Sequence, residues 1–454
     1  MSFENIIGYK NVRNRFDSFL SQLNDREKFA PRGIAVPNGF LITGIEGLGK
    51  EFMAQEFAEA TGRDCFVFSD KRDFSDEFSD MIDFLTGNTK GEENTEEEAD
   101  TEETGQEKEA EAEAETETEP RKMIIAFSDL GEICRQAPDH GKKLAAVMEQ
   151  ALEDFDVYYV GVADNTEGIP SCFAAPDLLE HVVRVLRPSF EAVTEIIKHL
   201  AGKKGLTFEI PTSDMAKMLH RETYACIESV LDEAAVKASY EGAPEKGGKL
   251  FISRDIFVGC VLSREYEDEN AGHDHARNEA DILRTAYHEA GHVVAGEFLQ
   301  PGIIGYASVR LNGDGEYEGF VSRCNDWDDN SKNPAVLSLA AKAAVELKYG
   351  KDVRGSISDV SKAIDNVKYD VIDEGLEGLS LVSPYNDINK SSEHLKERQE
   401  EAIARLLEER QRTARCIVSE QQELLDAVAS ELAKKGCLLY SEIQKLVKKH
   451  MKRK

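Results

Sequence analysis

The stretch Phe40-Leu-Ile-Thr-Gly-Ile-Glu-Gly-Leu-Gly-Lys-Glu51 decides the fold of the N-terminal part of this 454-residue chain. Phe40–Thr43 is a short apolar run typical of a buried strand, and Lys50–Thr61 has the apolar spacing of a helix. The loop between them contains three glycines, so backbone amides and the helix N-terminus can surround phosphate groups there. The stretch therefore predicts a phosphate-binding loop between a strand and a helix.

Further buried strands are predicted at Cys65–Phe68, Met123–Phe127 and Tyr158–Val162. Strands that alternate with helices imply a parallel sheet with helices on both faces. The pattern becomes helical from residue 190 to about Leu262, and it is again mainly helical from Asp281 onward. We therefore expect a multidomain chain, in which an α/β module is followed by a mainly α domain.

These changes of pattern predict four parts of the chain: residues 1–189, 190–263, 264–280 and 281–454. The first is the large α/β part, the second is a small helical part, and the third is a polar linker. The fourth part is mainly helical, but Gly305–Ser322 is predicted to form a hairpin around Asn312-Gly-Asp-Gly315.

An acidic insertion is predicted within the α/β part, at residues 88–120. Gly91–Pro120 alone contains 15 acidic residues and one lysine, and it has no apolar residue larger than alanine. Such a segment cannot bury enough surface to offset the entropy lost on ordering, so we expect a disordered loop. The whole chain has a net charge of −32, which argues against a nucleic-acid binder, because phosphate contacts need a basic face.

The sequence also predicts a cytoplasmic protein without a membrane segment. Its eight cysteines include no C-x-x-C pair, as expected for reduced thiols. Apolar runs such as Val157–Val162 are far shorter than the roughly 20 residues that span a bilayer. Met1–Asn5 lacks the charged and apolar regions that begin a signal peptide.

The motif His288-Glu289-Ala290-Gly291-His292 predicts a zinc site. Two histidines four residues apart lie on one face of a helix and can bind a single Zn²⁺. Glu289 can then act as the base that takes a proton from a water molecule bound to the metal. Gly291 costs a helix interior about 0.5–1 kcal/mol relative to alanine, which predicts a close approach of another element there.

A zinc peptidase site needs a third protein ligand, with one position left for water. Asp359, at the start of a helical stretch, is the best candidate. Glu346 and Asp365 remain alternatives on their chemistry alone. His394 lies in a highly charged segment and is expected to face solvent.

The chain from His288 onward resembles the peptidase domain of the FtsH family of AAA zinc proteases. The similar segments are the H-E-x-x-H motif, Ala340–Gly350 and Gly355-Ser-Ile-Ser-Asp359. This resemblance implies that Asp359 is the third zinc ligand. It also implies that the strands within Tyr306–Ser322 include an edge along which an extended substrate lies by β-augmentation.

The N-terminal part resembles the AAA module of the same family. Besides the phosphate loop, Glu4-Asn-Ile-Ile-Gly8, Val36-Pro-Asn-Gly39 and Asp232-Glu-Ala-Ala235 match it. The resemblance implies a P-loop module with a parallel sheet and a small helical lid. The residues implied to bind the phosphates of ATP are Gly44, Gly47, Leu48, Gly49, Lys50 and Glu51.

This sequence departs from the family pattern at the residues that support hydrolysis. Glu51 replaces the Ser/Thr that ligates Mg²⁺, and Ser128-Asp129 replaces the Walker B acidic pair. The sensor asparagine position is Asp164, and the two arginine-finger positions are Leu178 and His181. An arginine finger alone contributes about 10³–10⁵ in rate, so we expect ATP to be hydrolysed poorly.

Together these features predict a zinc metalloendopeptidase of FtsH type that cleaves unfolded or extended proteins. By family analogy it is a homo-oligomer, a hexameric ring, and its AAA module serves mainly as an assembly collar. Two alternatives remain open. One is a fully ATP-dependent zinc protease, and the other is a non-catalytic regulatory subunit of an FtsH-like ring.

Overall fold

The computed structural model describes residues 3–34, 36–68, 122–136, 138–175, 178–265, 279–311, 317–327, 332–350, 356–379 and 393–452. The chain divides into two compact units. The first consists of Met1–Ile196 with Arg221–Cys226, and the second of Ile197–His220 with Ile227–Lys454. The acidic insertion, most of the linker and the turn Asn312–Gly315 lie outside the described residues. The four-part division predicted from sequence stays a prediction.

The first unit is an α/β fold. Its elements are α1 (Lys10–Asn24), α2 (Arg26–Phe29), β1 (Gly39–Thr43), α3 (Lys50–Thr61), β2 (Asp64–Phe68), β3 (Lys122–Phe127), α4 (Leu130–Gln136), α5 (Pro138–Asp154), β4 (Asp156–Ala163) and β5 (His181–Arg184). The five strands form one sheet in the order β2-β3-β4-β1-β5, and every pairing is parallel. The predicted parallel sheet with helices is thereby confirmed.

The phosphate loop of this unit is positioned by the two central strands. β1 is buried along its whole length, and Phe40 packs against Phe16 and Phe57 with ring centroids 5.2 and 4.8 Å away. β1 lies between β4 and β5, so the loops that follow β1 and β4 meet at one edge of the sheet.

One detail of the predicted sheet was wrong. β2 forms, but it was expected to be buried, and only Phe68 among its five residues is buried. The reason is its place in the sheet, since β2 is the outermost of the five strands.

The second unit is mainly helical. Its elements are α6 (Phe190–Lys203, shared with the first unit), β6 (Leu206–Phe208), α7 (Thr212–Met218), α8 (Tyr224–Tyr240), β7 (Glu245–Lys246), β8 (Lys249–Ile252), α9 (Arg254–Glu265), α10 (Glu279–Leu299), β9 (Ile304–Leu311), β10 (Tyr317–Arg323), α11 (Lys332–Tyr349), α12 (Ile357–Lys368), α13 (Glu393–Glu420), α14 (Gln422–Lys435), β11 (Cys437–Leu439) and α15 (Tyr440–His450). A short π-helix, Tyr369–Asp373, continues α12.

Two sheets belong to this unit. β9 pairs antiparallel with both β10 and β11, which places β10 at the outside of the order β10-β9-β11, and the smaller sheet has the order β6-β8-β7. The predicted hairpin corresponds to β9 and β10.

Helix α10 is the central element of the second unit. Twelve of its 21 residues are buried, and they belong to a core that includes α11, α14 and β9. Gly291 allows the close approach that the sequence predicts: a Cβ added there would lie 2.6 Å from the Ala340 carbonyl oxygen. The packing of α10 on α11 thus fixes the rotation of α10 about its own axis, and with it the direction of His288 and His292.

Candidate functional site

Three potential metal ligands meet where α10 faces the start of α12. His288 and His292 come from adjacent turns of α10, and Asp359 comes from the first turn of α12. One donor atom from each residue lies within 4.8 Å of the other two. The Asp359 Oδ2 is 2.9 Å from the His288 Nε2 and 3.4 Å from the His292 Nε2.

The surroundings orient these ligands. The His292 Nδ1 lies 2.9 Å from the Leu337 carbonyl oxygen of α11. When the Nδ1–H donates to this carbonyl, the Nε2 lone pair is left free and points toward Asp359. Such a hydrogen bond on the far nitrogen is the usual support of a metal-binding histidine. Leu337 could not be identified from sequence, because the contact depends on the packing of α11 against α10.

The rival ligands lie elsewhere in the described part of the chain. Glu346 pairs with Arg415 at 2.9 Å, and Asp365 and His394 are exposed. The structure therefore brings together His288, His292 and Asp359, the set that the family resemblance implies. Two imidazoles and one carboxylate fit Zn²⁺, and they leave a fourth tetrahedral position for a non-protein ligand.

Glu289 lies beside this centre and is 3% exposed. Its Oε1 is 4.0 Å from the His288 Nε2, close enough for its carboxylate to reach a molecule held at the centre. Burial raises the pKa of Glu289 to about 7. Burial also raises the pKa of Asp359, but hydrogen bonds and charge from the two histidines outweigh this effect and hold that pKa well below its ordinary value. The two carboxyl groups therefore differ strongly in proton affinity, as an acid–base group and a ligand should.

The phosphate loop has the backbone of an anion cradle. Gly44, Gly47 and Gly49 all have positive φ, and Gly49 is the N-cap of α3. Ala225 donates its backbone N–H to the Gly47 carbonyl at 3.0 Å. A Cβ on Gly47 would lie 2.8 Å from the Thr223 Oγ1, so this position requires glycine on steric grounds as well. Leu48, the apolar residue of the loop, is buried.

Lys50 is already bound within the loop. Its Nζ donates to the carbonyl oxygens of Gly44 and Ile45, at 2.7 and 3.0 Å, and to the Asp164 Oδ1 at 2.8 Å. An ammonium group has three N–H donors, so this network uses all of them. Lys50 is only 9% exposed, whereas the Asp164 side chain is 61% exposed. A phosphate that approaches Lys50 must therefore displace the Asp164 carboxylate.

The other side chains do not fit a magnesium-bound triphosphate. Glu51 is exposed in the first turn of α3 and adds a negative charge beside the cradle. The Asp129 Oδ1 accepts the backbone N–H of Glu132 at 3.0 Å, which caps α4. Leu178 is fully buried, and the His181 ring stacks on Phe19 at 5.6 Å, so neither occupies an exposed finger position.

The Lys50 network predicts a stability effect that needs no nucleotide. Lys50→Met removes three hydrogen bonds to a charged donor and leaves two loop carbonyls without them. We expect the melting temperature of the nucleotide-free protein to fall by about 3–5 °C. Lys143→Met, at an exposed lysine of α5, is the matched control and should change little. An unchanged melting temperature for Lys50→Met in differential scanning fluorimetry would show that the network does not stabilise the loop.

Fold and site together define a chain of two kinds of structure, an α/β module with a phosphate loop and a helical domain with a His-His-Asp metal centre. No protein-family model matches the chain. Known proteins do match it over 98% of its length. It is 23% identical to the "ATP-dependent zinc metalloprotease FtsH" of Mesomycoplasma conjunctivae, 21% to that of Thermus thermophilus and 23% to the "ATP-dependent zinc metalloprotease YME1L1" of Mus musculus.

The chain is thus a distant relative of the FtsH family of AAA zinc metalloproteases across almost its whole length, as its motifs predict. It spans 58%, 70% and 60% of the lengths of these three relatives, respectively. No helix in the described ranges is both long and apolar enough to cross a membrane.

Proposed function

We propose that this protein is a zinc-dependent metalloendopeptidase of FtsH type. The observation that carries the proposal is the convergence of His288, His292 and Asp359 within 4.8 Å, with the buried Glu289 carboxylate beside them. The relatives support it, since they are named as zinc metalloproteases over nearly the whole of this chain. A regulatory subunit without catalysis has no need for a buried glutamate beside a complete ligand set.

Each residue of the site has a defined task in peptide hydrolysis. His288, His292 and Asp359 hold the ion, and Leu337 fixes the ring of His292. Bound Zn²⁺ supplies a Lewis acid that lowers the pKa of water toward 7 and polarises a carbonyl oxygen. The Glu289 carboxylate takes the proton of the attacking water and passes it to the nitrogen of the leaving amine.

Extended or unfolded protein chains are the substrates that suit this site. Gly319 of β10 lies against Glu289, so the outer strand of the β10-β9-β11 sheet runs past the centre. An extended peptide can add to such a strand by main-chain hydrogen bonds, which requires no particular side-chain sequence. A folded substrate could not present its backbone in this way.

The AAA module, in this proposal, binds ATP in competition with Asp164 and hydrolyses it poorly. Glu51, the capping role of Asp129 and the buried Leu178 support this assignment. The hexameric ring and the cytoplasmic location stay predictions. Digestion with and without ATP separates the proposal from a fully ATP-dependent protease, in which activity would appear only with ATP and would be lost in Lys50→Ala.

The experiment that tests the proposed function is digestion of an unfolded, fluorescently labelled protein. We expect cleavage by the zinc-loaded chain, loss of cleavage after dialysis against a chelator, and recovery when about one equivalent of Zn²⁺ is returned. Glu289→Gln serves as the blank for contaminating proteases. Cleavage that survives chelation, or that is equal in the blank, would contradict the proposal.

A further inference from the structure

Strand β10 contacts Glu289 through a glycine. Gly319 pairs with Val309 of the neighbouring strand β9, and its side of the strand faces α10. The strand is held in place on both sides of this residue. Phe320 contacts the Tyr306 ring at a centroid distance of 5.5 Å, and Val321 packs against the buried core of the second unit. Gly319 therefore cannot move away from Glu289 without breaking pairing and packing.

There is no room for a side chain at this position. A Cβ on Gly319 would lie 2.6 Å from the Glu289 Cγ, 2.8 Å from its Oε1 and 2.9 Å from its Cδ. Atoms in folded proteins do not approach so closely, and Glu289 is 3% exposed, so it has no solvent space into which to move freely. The backbone of Gly319 does not have positive φ, so its conformation alone would accept alanine. The requirement for glycine arises from Glu289.

We infer that Gly319 is a positioning residue that sets the place of the Glu289 carboxylate beside the metal centre. The bare backbone at Gly319 forms one wall of the Glu289 site, and any side chain there would push the carboxylate away. His288, His292 and Asp359 are not among the atoms that the added Cβ would meet. The inference rests on the proposed function for its kinetic part, but the contact itself is testable without catalysis.

The kinetic test compares Gly319→Ala with Gly305→Ala. Gly305 lies in the neighbouring strand β9, where an added Cβ would come no closer than 3.1 Å to any atom and would not meet Glu289. We expect Gly319→Ala to keep about one zinc per chain and a near-normal KM, whereas kcat falls by about 10²-fold because the base is misplaced. Gly305→Ala should keep kcat within about threefold of the unchanged protein.

The test of the contact is a double-mutant cycle on stability. Gly319→Ala should lower the melting temperature by about 5 °C in the otherwise unchanged protein. In a Glu289→Ala background, which lacks the Cγ, Cδ and Oε1 that the new methyl meets, the same change should cost about 1 °C or less. This cycle is measured on zinc-free protein, so it remains decisive if the chain proves to have no peptidase activity.

Three results would overturn the inference. The first is an equal loss of melting temperature in both backgrounds, which would place the clash elsewhere. The second is an unchanged kcat for Gly319→Ala in an active enzyme. The third is loss of zinc from Gly319→Ala, since that would show an effect on the ligand set. Absence of activity in the unchanged protein would instead refute the proposed function, and the stability cycle would still decide whether Gly319 positions Glu289.

Discussion

Asp359→Ala is expected to reduce bound zinc from about one ion per chain to less than a tenth of that after dialysis. Asp359 supplies one of only three protein donor atoms, and its Oδ2 lies within 3.4 Å of both imidazole nitrogens. Loss of a residue that merely supports a ligand costs about 10–100-fold in metal affinity, so loss of a ligand should exceed 100-fold. Competition with a chromophoric chelator measures the affinity, and elemental analysis measures the content.

Asp365→Ala is the matched control for this prediction. Asp365 lies on the same helix, α12, but it is exposed, so it should keep the zinc content and affinity of the unchanged protein. The rival ligand Glu346 is tested in the same way, because Glu346→Gln breaks only its pair with Arg415. Full zinc affinity in Asp359→Ala, or a loss of zinc in Glu346→Gln, would show that the third ligand had been assigned to the wrong residue.

Local patterns carried most of the fold prediction. The strands around Phe40, Ile124 and Val160 were predictable because a short apolar run next to a turn has few other ways to be buried. The burial of β2 was not predictable, because a strand's place in the sheet depends on the order of all five strands. Its apolar sequence is the same whether it lies in the centre or at the outside.

The site shows the same division between local and tertiary information. His288, Glu289 and His292 follow from spacing on one helix, and Asp359 followed only from the resemblance to a family. Gly319 and Leu337 carried no local signal, since each acts through a contact made by packing of separate elements.

The phosphate loop adds a case in which the sequence showed the residues but not their interaction. Asp164 was recognisable as a departure from the family pattern. Its ion pair with Lys50, 114 positions earlier, results from the adjacency of β1 and β4 in the sheet. A lost sensor residue and a new partner for Lys50 are the same substitution, seen before and after folding.

Glu289→Gln is expected to lower kcat by about 10²–10⁴-fold while zinc content and melting temperature stay close to those of the unchanged protein. Glutamine has nearly the same shape as glutamate, so it fits against Gly319 and keeps the packing of α10, but its amide cannot take a proton from water. Glu279→Gln, at an exposed glutamate in the first turn of the same helix, is the matched control. Single-turnover cleavage of a labelled peptide at saturating concentration isolates the chemical step from substrate binding and product release. Because the ligand set remains complete in Glu289→Gln, loss of turnover with retained zinc assigns proton transfer to this one carboxylate. Residual kcat above about a tenth of the original would instead require the base to be another group.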